Sequence, residues 1–228
     1  MGTTKLERVT DIPVAWRNAL AQLQTCIPSA VMAGGCLRDR EHGRKVKDLD
    51  IFVPVSTDSH ADLEAVKVML EGLGWKSVTI DDAKTYPEGC DTRVIGVVEA
   101  DVFGCPPVQV VVGNWDTDRI FDHFDFGICQ ISFDGRELKR SVAYRLDSLN
   151  RVFKLATNRS DEAFVSSINR WARLKEKYRD WTFQLGTRSS SYSVETHVWS
   201  VDNTIPAMLS RNEAILPRRG HQIVNPLP

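Results

Sequence analysis

The chain predicts an α/β fold, a mixed sheet with flanking helices followed by a small helical segment. Three observations carry that prediction. Val31-Met32-Ala33 is an apolar run ending in Gly34-Gly35; a short basic segment follows, and a second apolar run, through Val53, opens with two acids spaced by one residue, Asp48 and Asp50. Further β-rich runs then alternate with stretches of helical periodicity. After Glu137 the strand-like pattern gives way to two helix-like ones. The 228 residues therefore divide into a sheet-bearing region, 1–136, and a helical extension with an irregular tail, 137–228.

Taken in order, Ile12 to Leu23 places apolar residues at helical spacing and predicts a first helix. Ser29 to Ala33 is a strand entering the double-glycine turn, and the basic segment after it is a short helix. Ser59 to Leu73 sets Leu63, Val66, Val68, Met69 and Leu73 on one side of a second amphipathic helix. Trp75 to Ile80, Thr92 to Val98 and Val108 to Val112 are strands. Asp116 to His123 is a short helix, and Phe126 to Phe133 a strand closed by the turn signal Asp134-Gly135. Tyr144 to Leu155 and Asp161 to Trp181 read as helices, the second carrying Phe164, Val165, Ile168, Trp171, Ala172, Leu174 and Tyr178 near helical spacing. In residues 182–228, Ser189-Ser190-Ser191 reads as a loop and Pro217-Arg218-Arg219-Gly220-His221 as a basic tail.

Side chains alternate along a strand, so Asp48 and Asp50 share one face while Leu49 and Ile51 point into the core. Two carboxylates on one face can hold one or two divalent cations. Magnesium takes a few protein carboxylates and fills its remaining positions with water and phosphate oxygens, so the pattern points to Mg2+ and to transfer of a nucleotidyl or phosphoryl group. Gly34 and Gly35, lacking β-carbons, let backbone N–H groups approach a triphosphate. Arg38 adds a positive fork, directed at a phosphate or at a structural acid such as Asp39. In isolation a double glycine is an ordinary tight turn and Asp-x-Asp an ordinary strand end; their ordered combination is what carries information.

That combination, Gly34-Gly35-Cys36-Leu37-Arg38-Asp39 followed by Asp48-Leu49-Asp50, resembles the nucleotidyltransferases of the DNA polymerase beta superfamily, in the branch of the CCA-adding enzymes and bacterial poly(A) polymerases. The resemblance covers approximately residues 28–180. It implies a nucleotidyltransferase-type fold that binds a nucleoside triphosphate with magnesium and transfers the nucleoside monophosphate to an acceptor hydroxyl, with RNA or tRNA as the acceptor. His123-Phe124-Asp125-Phe126-Gly127-Ile128-Cys129-Gln130 is similar to a divergent form of the family's Arg-Arg-Asp-Phe-Thr-Ile-Asn-Ala segment, which implies a role for Asp125 in holding the nucleotide or in the third metal-ligand position. The helix after the sheet corresponds to one that brings arginines close to the nucleotide, which implies Arg170 and Arg173. The strand expected to bear the third metal-binding acid carries Gln109. An amide cannot help to deprotonate the attacking hydroxyl, so either Asp101 or Asp125 takes over, or the chain is a nucleotide-binding or regulatory module with weakened chemistry. A toxin or defence-type nucleotidyltransferase modifying tRNA or a protein hydroxyl is a further alternative. The chain is too short to include the tRNA-gripping helical body of a complete CCA-adding enzyme.

Charge is balanced at 29 basic against 30 acidic residues, so polynucleotide contact requires a local patch, for which Arg170, Arg173, Lys175, Arg218 and Arg219 are candidates. No stretch approaches the roughly twenty apolar residues that cross a bilayer. A cytoplasmic setting without a membrane partner is expected. The five cysteines, Cys26, Cys36, Cys90, Cys105 and Cys129, have no zinc-ligand spacing and read as free thiols. Cys36 has no general base specified near it for nucleophilic work.

Overall fold

The computed structural model describes residues 8–55, 60–82, 94–156 and 161–184. Apolar alternation and helical periodicity produce the elements in sequence order. They are α1 (Val14–Gln24), β1 (Val31–Ala33), α2 (Gly35–Glu41), β2 (Leu49–Pro54), α3 (His60–Gly72), β3 (Lys76–Asp82), β4 (Val94–Asp101), β5 (Val108–Gly113), β6 (Ile131–Phe133), β7 (Leu138–Arg140), α4 (Val142–Asn150), β8 (Val152–Lys154), α5 (Asp161–Lys177) and β9 (Thr182–Gln184). Seven strands form one mixed sheet in the order β3-β4-β5-β2-β1-β6-β7. Only β2 and β5 are parallel neighbours within it; the other pairs are antiparallel.

Strand alternation separates a buried face from an open one. Leu49, Ile51 and Val53 of β2 and Val108, Val110 and Val112 of β5 are fully buried, while Asp50, Phe52 and Gln109 between them are only partly buried. Trp16, Ala19, Leu20 and Leu23 of α1 and Leu63, Val66 and Leu70 of α3 join the buried residues in one continuous core. At roughly 1.5–3 kcal/mol per fully buried large apolar side chain, this core supplies most of the drive to fold. It also makes the central strands a rigid platform.

Three expected elements change. The strand expected over Phe126 to Phe133 is a tight turn at Gly127–Cys129 followed by β6 alone. A β-carbon on Gly127 would stand 2.5 Å from the Asp147 carboxylate, so the chain bends there against α4. The helix expected to reach Leu155 stops at Asn150, where Arg151 adopts a left-handed φ of 54°. Val152–Lys154 then pairs in parallel with Thr182–Gln184, a partner that short-range periodicity does not reveal. For the same reason the last helix ends at Lys177, before Tyr178 and Trp181. The hairpin β6–β7 is closed by Asp134-Gly135 as expected, with Asp134 accepting from the backbone N–H groups of Arg136 and Glu137. Strand β7 thus extends the sheet past the change of pattern at Glu137.

Candidate active site

The open face of β2 carries Asp50, and Asp48 precedes the strand on the same side. The register places Gln109 of β5 directly beside Asp50 and Glu99 of β4 beside Gln109. Partners in register share a face, so Asp50, Gln109 and Glu99 form one row across three strands. Gln109 Nε2 donates to Glu99 Oε1 at 2.9 Å. Asp101, two residues on, is exposed at the same edge, opposite Lys76. Burial first, and then the negative charge of Asp48, push the Asp50 carboxyl up to about 7; the positive charges of Arg170 and Arg38 pull in the other direction. Asp48 is 3.3 Å from the exposed Lys47 ammonium, a surface contact that a ligand can displace at small cost.

The two glycines serve different purposes. Gly34 adopts φ 81°, and a β-carbon there would lie 2.9 Å from the Phe124 ring. Its N–H is donated to the Ile131 carbonyl at 2.9 Å, so it answers a backbone and packing requirement. Gly35 faces the carboxylates instead: its β-carbon position lies 3.7 Å from Asp50 Oδ2 and 3.7 Å from Arg38 Nη2. Phe124 packs edge-on to Phe52, and Trp115 packs edge-on to both Phe52 and His123. An aromatic cluster therefore lies beside the double-glycine turn.

Arg38 is turned inward. It is 4% exposed, bonds Asp39 at 2.7 Å, and donates to Tyr178 and to the Cys129 sulfur. Its guanidinium also lies over the Phe153 and Tyr178 rings. Of the two partners expected for Arg38, the structural acid is the one it meets. Asp39 in turn accepts from Tyr178 and Lys177, locking α2 to the end of α5. Burial, followed by the charge of Asp50, drives the Cys36 thiol far above its ordinary range, so it is held protonated.

Asp125 has both oxygens engaged. Oδ1 accepts from the Phe126 N–H at 3.0 Å and from Arg170 Nη1 at 3.1 Å, and Oδ2 accepts from Ser167 Oγ at 3.0 Å. The pair orients Arg170, whose side chain remains 47% exposed and whose charge is felt at Asp50. Arg173 is exposed one turn further along α5. Arg218 and Arg219 lie outside the described residues, as do Cys90 and the tail segments read from sequence.

Sequence reasoning did not assign Glu99, Ser167 or Lys177 to the site, and it read Tyr178 only as part of an apolar helix face. Period-two alternation from Asp101 back to Glu99 was the available signal for the first. The others act through contacts more than 40 residues away in sequence. A separate groove of about 550 Å³, lined by Gly127, Leu146, Asp147, Val152, Thr182 and Gln184 among others, contains none of the expected site residues.

The donor set is one that magnesium accepts. Asp48 and Asp50 supply two hard oxygen ligands, and their mutual repulsion is what a divalent cation would relieve; Gln109 offers a neutral oxygen in the same row. Among the described residues no group of three His, Cys, Asp or Glu side chains gathers as a metal cage. Two carboxylates suffice for magnesium where substrate phosphates complete the shell.

The mixed seven-strand sheet and its flanking helices have a nucleotidyltransferase-type fold. The fold recurs in CCA-adding enzymes solved with ATP (TM-score 0.51, 14% identity, 77% of this chain and 40% of that one) and with CTP (0.50, 14%, 77% and 42%). It recurs also in the Bacillus stearothermophilus CCA-adding enzyme in complex with CTP (0.50, 14%, 75% and 41%). The chain spans about two fifths of the length of these enzymes. It belongs to the Gabija anti-defense 2 family, whose sequence pattern matches residues 12–154. No curated protein matches it. No helix among the described residues is long and apolar enough to cross a membrane.

Proposed function

We propose that this protein is a magnesium-dependent nucleotidyltransferase that moves a nucleoside monophosphate from a nucleoside triphosphate to an acceptor hydroxyl. The observation that supports it most is the pair Asp48 and Asp50 on the open sheet face, beside Gly35 and within reach of the Arg170 charge. Asp48 and Asp50 would hold magnesium, whose charge offsets that developing on the phosphoryl oxygens. Gly35 leaves room for a triphosphate to approach. Arg170, steadied by Asp125, would grip phosphate, and Arg173 a base or phosphate further out. The acceptor oxygen attacks the α-phosphorus and pyrophosphate departs. Gln109 cannot take the hydroxyl proton, which leaves through water, so turnover is expected to be slow.

RNA, tRNA included, is the proposed acceptor class, reached through Arg170, Arg173 and Lys175. The family's name, Gabija anti-defense 2, supports a defence-related setting for this activity. Gln109 favours one second reading, a nucleotide-binding regulator with weakened chemistry.

The test is incubation with each labelled triphosphate and total tRNA, with and without magnesium, alongside Asp48→Asn/Asp50→Asn. Labelled tRNA that requires magnesium and both aspartates is the expected result. Triphosphate binding without labelling would select the regulator. Unchanged magnesium-dependent binding in the folded double variant would place the metal site elsewhere.

A further inference from the structure

We infer that Glu99 is a positioning residue for the candidate active site, acting through Gln109; the inference rests on the metal-binding reading of Asp48 and Asp50. The third-acid position of the row holds an amide, and an amide has two unlike ends. Its NH2 donates; its carbonyl oxygen accepts. In solvent the two orientations interchange, and in one of them the NH2 is directed at a cation, which repels it. Glu99 removes that ambiguity. Its carboxylate can only accept, and it holds Gln109 Nε2 at 2.9 Å from the β4 side of the row. The amide oxygen is thereby left as the free end, with Asp50 as its neighbour on the other side.

Glu99 itself is too distant to share a cation with Asp50. Adjacent strands stand about 4.8 Å apart, so the two residues are separated by roughly 10 Å, against a magnesium–oxygen distance of about 2.1 Å. The carboxylate that would complete the site thus stands one strand further out and works by turning an oxygen inward. The resulting ligand set is two carboxylates and one neutral oxygen, carrying one negative charge fewer than three acids would. Such a set binds a cation more weakly and leans more on the nucleotide's own phosphates.

Manganese binding to the full chain, read by electron paramagnetic resonance with a non-hydrolysable triphosphate present, tests this. Glu99→Leu and Gln109→Leu should each weaken binding about tenfold, the size typical of a lost supporting contact around a metal. Glu99→Gln should stay within about threefold of the parent, because its amide oxygen accepts the same hydrogen bond. The double variant Glu99→Leu/Gln109→Leu should lose no more than Gln109→Leu alone, as required of a residue that acts only through its neighbour. Thermal unfolding of each variant confirms folding, since Glu99 is exposed. The inference falls if Glu99→Leu binds like the parent, if Glu99→Gln is as impaired as Glu99→Leu, or if the two losses add. Asp48→Asn/Asp50→Asn separates the levels: if that variant loses manganese while Glu99→Leu does not, only the inference fails. If it keeps manganese, the metal-binding reading fails with it.

Discussion

Two arginine–carboxylate pairs stand where α5 meets the sheet-bearing part of the molecule, and they sit in different media. Arg38 and Asp39 have side chains only 5% and 6% exposed, enclosed by Tyr178, Phe153 and Lys177. Arg170 and Asp125 are 47% and 16% exposed and face the Asp50 side. The same chemistry does two jobs. Where water is excluded, each charge depends on its partner and the pair specifies how α2 meets α5. Where water remains, the contact is weak, and the guanidinium, 47% exposed, can be approached by an anion.

The largest expected difference is in stability. Asp39→Ala leaves Arg38 buried without its countercharge and should cost about 3–5 kcal/mol in denaturant unfolding. A loss below ~1 kcal/mol would mean that the inner pair is dispensable and erase the contrast.

A second separation comes from pH. His42 lies against Trp181 at a ring distance of 4.9 Å, beside the inner pair. Burial, and then the Arg38 and Arg44 charges, lower its pKa from the ordinary 6.5 to about 4. Between those values the unfolded chain binds the proton and the folded one does not. This stability is therefore fully present above pH 6.5 and lost as pH falls toward 4. The advantage of the parent over His42→Gln should shrink across that window by an amount of order 2 kcal/mol, measured by unfolding at each pH. A difference independent of pH would show that His42 contributes packing alone.

Asp125→Ala should cost only about 1 kcal/mol in stability. Its main effect should appear in calorimetry as weaker triphosphate binding, because Arg170 loses the carboxylate that orients it. Equal losses for Asp125→Ala and Asp39→Ala would make both pairs structural. The smallest effect concerns RNA: Arg170→Ala/Arg173→Ala should flatten the salt dependence of tRNA binding by one or two contacts, at a slope of about 0.7–0.9 per phosphate. No detectable tRNA binding at low salt would redirect the search to a protein or small-molecule acceptor.

The unequal roles of the arginines also show where sequence reading stops. Asp48 and Asp50 were legible because strand alternation is a local rule: a buried Leu49 and Ile51 place their neighbours outside. Gly34-Gly35 was legible as a turn, but the division of labour between the glycines was not, since it depends on Phe124 arriving from a segment some ninety residues later. Arg38 and Arg170 look alike as isolated letters. One is enclosed because Tyr178 and Lys177 close over it, and the other stays 47% exposed because α5 presents it on the Asp50 side.

By itself the sequence determined the alternation of strands and helices, the core face of β2 and β5, and the placement of two carboxylates and an amide on the open face. Those features arise from period 2, period 3.6 and turn chemistry, which act over a few residues. The tertiary structure alone decided the end of α4 at Asn150, the β8–β9 pairing, the inward turn of Arg38, the anchoring of Arg170 by Asp125 and Ser167, and the bond between Gln109 and Glu99. Each is a contact between separate elements, and burial, which sets the worth of a charge, exists only once those elements have packed.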